Sequence, residues 1–495
     1  MARPGLAGRG PRAPRLLHRA HARAGPHGGR LRPCAHAGAL ARHLDLAART
    51  RPGRGLRSPR RGPRPGRSAV IGDAAGGKGG GECRPRRHRP GRHPAHLGAP
   101  VRVVYVSYDG ALDPLGASQV VPYLVGLAGL GVTITLISFE KPERWVVAEP
   151  RARLEASLAS ACITWRPLTY HKRPRLPATL LDVLVGSRWV GAEVRRSGAD
   201  LVHCRGDVAM AMARGAGLPA GVRILYDVRG LFSDERVETG SWRRGGFVDR
   251  MVRRAEAHNL RRADAVVVLT EPAREALRAR RPDLPPCRVI PTCADLAAFT
   301  PRPPGEEPEF GLAYCGSLGT WYMVREMAAF ARVASAVVPG RVLVLTPHVE
   351  QARLAGLDPS WAEVREVPAH EVPKWLRRAR ALFFFIRPTP AKRASCPTKL
   401  AEALATGLPV AANRGVGDLD SVLEREGVGA LVNGFTGEEY RRAAQRLADL
   451  LRDPATIARC RRLAESRYSL QSGVAAYHEL YRALLPEAAR PAASA

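Results

Sequence analysis

The sequence predicts an α/β protein with two Rossmann-like, doubly wound parallel-sheet domains that face a central cleft, preceded by a disordered basic arm. Its 495 residues exceed one ordinary core and favour two or three domains. From Val101 onward, short apolar strands alternate with amphipathic helices, as in parallel βαβ units. The pattern restarts after a segment rich in proline and acids. We therefore divide the chain into an arm (1–98), a first domain (99–295), a second domain (296–470) and a C-terminal helix with a tail (471–495).

The arm consists mainly of Arg, Pro, Gly, Ala and His. Such a chain cannot bury enough apolar surface to offset its ordering entropy, so we expect disorder. Residues 1–100 hold 23 basic and three acidic side chains, a net charge of +20 of the total +33. A tail that binds nucleic acid or a membrane and ordinary disorder both fit this composition. We favour translated GC-rich sequence upstream of the true start, because no Met occurs between Met1 and Met210.

Apolar segments of strand length define both domains in order. The first strand is followed by a glycine-containing loop and a helix that ends near Leu130. A helix near 471–484 follows the last unit, and we expect it to cross back and brace the first domain. Ligands of open α/β sheets bind beyond the carboxyl ends of the strands, so we expect the site in the cleft. The predicted strands are 102–107, 132–138, 200–204, 223–228, 264–269 and 287–290 in the first domain, and 310–316, 341–346, 381–386, 408–412 and 429–432 in the second.

The cysteine pattern bears on the cell compartment. The nine cysteines are odd in number and scattered, with no C-x-x-C pair, which indicates neither a disulfide framework nor a zinc site. The first thirty residues lack the apolar run of a secretory signal. We therefore expect a cytoplasmic protein. His203 and Cys204, at a strand end, are expected to be packed in the core.

The segment KRASCPTKLAEALATGLPVAA (392–412) carries the strongest chemical signal. Ser395 or Thr398 can cap a helix whose first turn holds Pro397, and Gly407 ends this helix before the next strand. A helix N-terminus offers free N–H donors and partial positive charge. Three cations crowd around this one, as a diphosphate requires: Lys392, Arg393 and Lys399.

Glu402 follows Lys399 by three residues on the same helix. Its carboxylate is placed to accept hydrogen bonds from a ribose hydroxyl pair, as acidic residues do in dinucleotide sites. Alternatively, Lys399 and Glu402 form an ordinary surface pair worth about 0.2 to 0.5 kcal/mol. Spacing alone does not decide between these two interpretations.

This segment closely resembles the nucleotide-sugar-binding motif of glycosyltransferase family 4, whose fold is the two-Rossmann GT-B architecture. Further segments resemble the family's Gly loop, acceptor-side loop, last helical unit of the first domain, linker strand and first loop of the second domain. They occur in the family's order, and the resemblance covers about residues 101–485. These segments are 107–124, 227–242, 262–277, 289–299 and 314–327.

The resemblance implies a retaining glycosyltransferase of the hexosyltransferase type, with an acceptor-binding first domain and a donor-binding second domain. Such an enzyme moves a sugar from a nucleotide diphosphate sugar to a hydroxyl acceptor, with no obligatory metal and no other cofactor. Lys399 and Arg393, with Lys392, would contact the leaving diphosphate, and Glu402 the ribose. Ser395 and Thr398 belong to the same donor site. Gly116, Gly316 and Gly319 lack a Cβ and would let the backbone approach the phosphate or the donor sugar.

The sequence departs from the family pattern at three places. In the loop after the first strand of the second domain, many relatives have an Arg and a Lys, but here no cation precedes Arg325. Ala394 stands where the family has the first Glu of its E-x7-E motif, and Arg229 replaces the strand-end His of many relatives. Asp227, Arg229, Asp234 and Glu235 are the polar candidates on the acceptor side, and no base is chosen among them. We assign catalytic roles to Asp227 and Arg229. Trp321 and Tyr322 fit stacking on a base or sugar and core packing equally well.

Basic segments at 171–175 and 241–264 are compatible with a peripheral contact to an anionic membrane. In the second segment, arginines flank Phe247, Met251 and Val252. Such a contact at the inner face of the cell membrane would bring the enzyme to a lipid-linked acceptor for polysaccharide or glycoconjugate synthesis. A solvated arginine-rich face explains the same pattern.

Two other functions remain open at this point. A nucleotide-sugar epimerase of the same fold would need an acid/base pair beside the sugar and no acceptor cleft. A protein that binds nucleic acid through the arm ranks lower, because the body contains no recognisable nucleic-acid module and we expect no specific nucleic-acid partner.

Overall fold

The computed structural model describes residues 100–171 and 173–485, together with all their side chains except that of Arg175. These residues form two parallel-sheet α/β domains, which confirms the predicted fold class. The predicted arm (1–98) and the last ten residues of the tail lie outside the described residues. No helix in the described part of the chain is long and apolar enough to cross a membrane.

The first domain contains a seven-stranded sheet in the order β3-β2-β1-β4-β5-β6-β7, and every pairing is parallel. Its strands are β1 (Arg102–Ser107), β2 (Thr133–Glu140), β3 (Thr164–Thr169), β4 (Leu201–Arg205), β5 (Arg223–Asp227), β6 (Ala265–Val268) and β7 (Cys287–Val289). Its helices are α1 (Pro114–Gln119), α2 (Val121–Gly129), α3 (Pro142–Trp145), α4 (Ala148–Ser160), α5 (Arg175–Ser197), α6 (Gly206–Gly215), α7 (Phe232–Glu238), α8 (Phe247–Arg262) and α9 (Glu271–Arg280).

The second domain contains a six-stranded parallel sheet in the order β10-β9-β8-β11-β12-β13. Its strands are β8 (Phe310–Cys315), β9 (Arg341–Leu345), β10 (Ala362–Arg365), β11 (Ala379–Phe384), β12 (Val410–Asn413) and β13 (Gly429–Val432). Its helices are α10 (Val324–Ala334), α11 (Val349–Leu354), α12 (Val372–Leu376), α13 (Thr398–Ala405), α14 (Leu419–Arg425), α15 (Gly437–Arg452) and α16 (Ala455–Leu463). Short 3-10 turns span Ala369–Glu371 and Pro390–Ala394, and a π-helical turn spans Ala464–Tyr468.

The strand order reverses at one point in each sheet. The chain runs from β1 outward to β3 and then returns to β4 on the other side of β1. It likewise runs from β8 outward to β10 and returns to β11 beside β8. Such reversals open a crevice at the carboxyl ends of the two diverging strands, where ligands of this fold class bind. The second crevice lies where the loop after β8 and the segment after β11 begin.

The last helix, α17 (Leu470–Leu484), packs on the first domain. Val474, Tyr477 and Tyr481 lie in the same buried cluster as the side chains of α2. The helices approach closely at Gly126, where a Cβ would lie 2.7 Å from Val474 Cγ2. The linker between the domains also pairs with the segment that leads into α17. Ala294 N donates to Tyr468 O, and Leu470 N donates to Ala294 O. The C-terminal segment thereby connects the two domains.

Candidate functional site

Lys399 lies at the crevice between β8 and β11. It occupies the first turn of α13, and only 6% of its surface is exposed. Its Nζ donates to Tyr322 Oη at 2.6 Å and lies 4.2 Å from the centroid of the Tyr322 ring. The Tyr314 ring of β8 is 5.3 Å away. The alternative of an exposed Lys399–Glu402 surface pair is therefore wrong, because the ammonium is buried beneath aromatic rings.

Gly316 follows β8 and contacts Lys399. Its φ is +126°, a region that favours glycine, and a Cβ at this position would lie 3.1 Å from Lys399 Nζ. Gly319, further along the loop, has no such crowding, since its nearest neighbour is Ser317 Oγ at 3.4 Å from the Cβ position. We call the surroundings of the Lys399 ammonium, bounded by Gly316, Tyr314 and Tyr322, the Lys399 pocket, and Gly319 lies further along the loop and is exposed.

The N-terminus of α13 has no side-chain cap. Pro397 is the N-cap residue, so the predicted capping by Ser395 or Thr398 is wrong, as is the placement of Pro397 inside the first turn. A proline side chain accepts no hydrogen bond, and Leu400 N donates to Pro397 O at 3.0 Å. The N–H groups of Thr398 and Lys399 therefore have no hydrogen-bond partner among the described residues. Ser395 and Thr398 are half-buried beside this open end. The helix tip is thus a free anion-binding end next to the Lys399 ammonium.

Glu402 lies one turn further along α13, and its carboxylate makes no hydrogen bond or ion pair within the described residues. Burial raises the pKa of its carboxyl, and the Lys399 ammonium partly offsets this effect. Burial together with Glu402 raises the pKa of the nearby Cys315 thiol to about 12. A half-buried carboxyl with spare acceptor atoms suits a hydroxyl ligand.

The Lys392 ammonium is held by contacts outside the Lys399 pocket. Its Nζ bonds Glu235 Oε1 of α7 at 2.7 Å and lies 3.8 Å from the centroid of the Trp321 ring. Glu238 of α7 also accepts from Ala391 N at 3.0 Å. The predicted diphosphate contact of Lys392 is therefore corrected, because its charge is already paired with the first domain. Trp321 packs against this ammonium.

Arg393 points into a different space. Its side chain is exposed and lines a cavity of about 770 Å³ together with Glu271, Asp418 and Arg467. Neither Lys399 nor Glu402 lines this cavity. The backbone oxygen of Arg393 accepts from Thr270 Oγ1 at 2.7 Å. The Arg393 side chain therefore lines a cavity to which Lys399 does not contribute, and a shared diphosphate contact of Arg393 and Lys399 stays a prediction.

In the first domain, Gly116 has a packing role. It is buried in α1, and a Cβ there would lie 2.0 Å from Gly110 O. The loop after β1 is held by Glu140, whose carboxylate accepts from Ala111 N at 2.8 Å and Leu112 N at 3.2 Å. Sequence reasoning missed Glu140. An acid at the end of an otherwise buried apolar strand is the signal that could have found it.

Asp227 and Arg229 form a buried network under α17. Asp227 is 1% exposed and accepts from Tyr477 Oη at 3.2 Å, and Arg229 Nη1 lies 3.4 Å from its Oδ1. Burial alone would raise the pKa of Asp227, but Arg229 and His203 hold it well below its usual range. Such a carboxylate is a weak base, so the network fits a structural anchor better than proton transfer.

His203 and Arg205, at the end of β4, extend the same network. His203 Nδ1 lies 2.6 Å from Tyr481 Oη, and burial lowers the pKa of its imidazole. Arg205 Nη1 lies 3.8 Å from Asp227 Oδ2. His203 and Cys204 are both buried, as expected from their position. The other acceptor-side candidates lie apart: Asp234 pairs with Arg253 and Arg280, and Glu235 with Lys392.

Comparisons with known proteins bear on the fold and the family. Residues 116–298 match the sequence model of Glycosyltransferase Family 4. Sucrose-phosphate synthase from Thermosynechococcus elongatus is 18% identical, with a TM-score of 0.58, and the match covers 78% of this chain and 99% of that protein. Anabaena HepE in complex with UDP and glucose is 13% identical, with a TM-score of 0.53 and coverage of 77% and 99%.

A third solved structure carries a different designation. This structure, from Listeria monocytogenes, is described as a UDP-N-acetylglucosamine 2-epimerase. It is 14% identical to this chain, with a TM-score of 0.50, and the match covers 76% of this chain and 94% of that protein. A search of curated proteins returned no match. Among the described residues, no group of three or more His, Cys, Asp and Glu side chains is arranged to hold a metal ion.

The fold and the sequence match of residues 116–298 define the class: the protein is a glycosyltransferase of the GT-B fold. The match of residues 116–298 to the sequence model of Glycosyltransferase Family 4 agrees with the resemblance stated from the sequence.

Proposed function

We propose that this glycosyltransferase moves a sugar from a nucleotide diphosphate sugar to a hydroxyl acceptor, with retention at the anomeric carbon and without an obligatory metal. One observation carries the proposal: the buried Lys399 ammonium lies at the uncapped tip of α13, beside Gly316 and within the crevice of the second sheet. The complexes of HepE with UDP and with UDP-glucose support a donor of this kind.

The charge changes of the reaction fit these groups. As the glycosidic C–O bond breaks, negative charge grows on the diphosphate and positive charge on the sugar ring. The Lys399 ammonium and the free N–H groups of the helix tip would stabilise the diphosphate. Glu402 would accept hydrogen bonds from the ribose hydroxyls. Because these groups are fixed before the donor arrives, they need little reorganisation during the reaction.

Substitution of Lys399 tests this assignment. We expect Lys399→Ala to reduce turnover at least tenfold, since loss of one preorganised charge contact typically costs about 3 kcal/mol of transition-state stabilisation. Turnover is measured as donor hydrolysis and transfer over a panel of nucleotide sugars. Lys374→Ala, which removes an exposed lysine of α12, is the matched control. Equal rates in the Lys399 variant and the control would refute the assignment.

A comparison of ribonucleotide and 2′-deoxyribonucleotide binding tests the role of Glu402 separately. We expect Glu402→Ala to weaken binding of the ribonucleoside diphosphate at least tenfold, because its carboxyl is the proposed ribose acceptor. Binding of the 2′-deoxynucleotide should change much less. Calorimetry with both nucleotides measures this difference, and an equal loss for both would exclude the ribose contact.

The acceptor and cell location belong to the same proposal. We propose that α8 touches an anionic membrane, where a lipid-linked acceptor for polysaccharide or glycoconjugate synthesis would be found. Phe247 is 75% exposed, and the Met251 side chain is also exposed, beside Arg250 and Arg254. Arg253 is excluded from this surface, since it pairs inward with Asp234 and Asp249. Flotation should recover the protein with anionic but not neutral vesicles, and equal recovery would contradict the contact.

An epimerase is the second candidate, favoured by the fold of the Listeria protein. Product analysis separates the two functions. A transferase yields glycosylated acceptor only when acceptor is present, whereas an epimerase yields an altered nucleotide sugar in its absence.

A further inference from the structure

The N-terminal half of α5 exposes four leucine side chains that nothing in the described part of the chain covers. Leu176, Leu180 and Leu184 recur at every fourth residue, so they lie on one face of the helix, and Leu181 lies beside them. We call these four side chains the leucine face. Their exposed fractions are 43% for Leu176, 62% for Leu180, 46% for Leu181 and 57% for Leu184. Single exposed apolar residues are common, but a contiguous apolar patch marks an interaction surface.

The charged part of the exposed surface of α5 is basic. Arg188 and Arg195 are exposed in its C-terminal half, and neither forms an ion pair with another described residue. The two acids of α5, Asp182 and Glu193, are buried and hydrogen-bonded inside the first domain. The sequence HKRPR at 171–175 adds three basic residues where the helix begins. The exposed surface of α5 therefore combines a leucine face with positive charge and contains no acidic side chain among the described residues.

The helix α5 lies on the same face of the first sheet as α8. Buried side chains of α5, α6 and α8 share one cluster, and α6 packs against both of the other helices. α5 follows β3, and α8 follows β5 and α7, so both helices begin at the edge where the parallel strands end. The leucine face and the exposed Phe247 of α8 therefore lie near the same edge of one helical layer, on one side of the first domain.

We propose that the leucine face of α5 inserts into the boundary between the headgroups and the acyl chains of an anionic membrane. This inference rests on the peripheral membrane location proposed above and adds the surface that enters the bilayer. The leucines leave water for hydrocarbon, and the arginines meet lipid phosphates at the headgroup level. A second copy of this chain is the weaker candidate, because it would bring the same arginines together without an acidic partner. Anionic headgroups supply the negative charge that the surface of α5 lacks.

Partitioning of the full-length protein onto vesicles of equal parts phosphatidylcholine and phosphatidylglycerol tests this surface. Leu180→Gln combined with Leu184→Gln should lower the partition coefficient at least tenfold, since both substitutions remove apolar surface that leaves water on binding. The control is Leu354→Gln, which changes an 86% exposed leucine of α11 and should bind like the wild type. Every variant keeps all the basic segments, so a difference reports the leucines alone. An unchanged coefficient in the double variant, or an equal loss in the control, would overturn the proposal.

Two further measurements separate the leucine face from the other candidate contacts. Phe247→Gln tests the proposed α8 contact in the same assay. Loss of binding in the Leu180/Leu184 double variant but not in the Phe247 variant would support the leucine face without the α8 contact, and the reverse would overturn the leucine face alone. Sedimentation without vesicles should give the same mass for the wild type and the double variant. A dimer that only the wild type forms would assign the leucines to a second copy and overturn the proposal.

Discussion

Single side chains in the Lys399 pocket show how sequence and chemistry connect at the residue scale. A lysine ammonium is rarely buried without a carboxylate, yet Lys399 has a phenol, aromatic rings and an open helix tip as neighbours. A buried cation with spare hydrogen-bonding capacity attracts an anion strongly, because the surrounding medium screens little. The residues KLAE from Lys399 to Glu402 could be predicted as a candidate site from their type and spacing. The uncapped helix tip could not, because it depends on the exact start of α13.

Gly316 offers a residue-scale test of pocket shape. Gly316→Ala forces a side chain into a positive-φ conformation and toward Lys399 Nζ, so we expect a loss of about 1 to 3 kcal/mol in unfolding free energy and slower turnover. Gly319→Ala is the matched control, because its Cβ meets only Ser317 Oγ at van der Waals distance. Denaturant titration and transfer assays measure both effects. Equal behaviour of the two variants would contradict the described pocket wall.

The Asp207 carboxyl makes the stability of the folded protein depend on pH. Burial, together with the charge of Glu256, raises its pKa to about 7 in the folded protein against 3.8 for an ordinary aspartate, so the folded state binds more protons between these values. Its contribution to stability is therefore complete below about pH 4 and is lost as the pH rises to about 7. Asparagine does not titrate, so Asp207→Asn should gain stability relative to the wild type between pH 5 and pH 8. Thermal unfolding across this range measures the difference, and a pH-independent offset would contradict the prediction.

At the element scale, sequence pattern predicted the central strands better than the edges. The missed strands, β3 and β10, each lie at the outer edge of a sheet. Their sequences, TWRPLT and AEVR, are half-buried and lack the apolar run of a central strand. Local sequence also could not predict the partner of Lys392, because Glu235 lies 157 positions away along the chain. The role of each cation in the segment 392–399 therefore depends on contacts with the first domain, which the local sequence does not show.

The helix α7 connects the two domains, which gives an element-scale prediction. Glu235 bonds Lys392, and Glu238 bonds the neighbouring backbone, so α7 supports the turn Pro390–Ala394 that precedes α13. Glu235→Gln should reduce the unfolding free energy by about 1 to 3 kcal/mol and raise the donor KM more than it changes kcat, since a buried ammonium loses its charged partner. Lys392→Met and the double variant complete a double-mutant cycle. A coupling energy near zero would show that this contact does not support the turn.

At the scale of the whole molecule, two similar sheets each present a crevice, and the chain crosses between them twice. The linker near Ala294 and the segment before α17 pair through backbone hydrogen bonds, and α17 then packs on the first domain. The doubly wound parallel sheets, their division into two domains and the family resemblance followed from the sequence, because alternating βαβ units leave few topologies. The cavity of about 640 Å³ among α6, α7, α8 and α9 did not, since its lining comes from β5, these four helices and the loops between them.

The central claim is that Lys399 and the tip of α13 hold a diphosphate, and nucleotide affinity tests it most directly. Calorimetry compares each nucleoside diphosphate with its own nucleoside, in the wild type and in Lys399→Ala. For the cognate base, the wild type should bind the diphosphate at least a hundredfold more tightly than the nucleoside, and this ratio should fall at least tenfold in the variant. An unchanged ratio in Lys399→Ala would contradict the account.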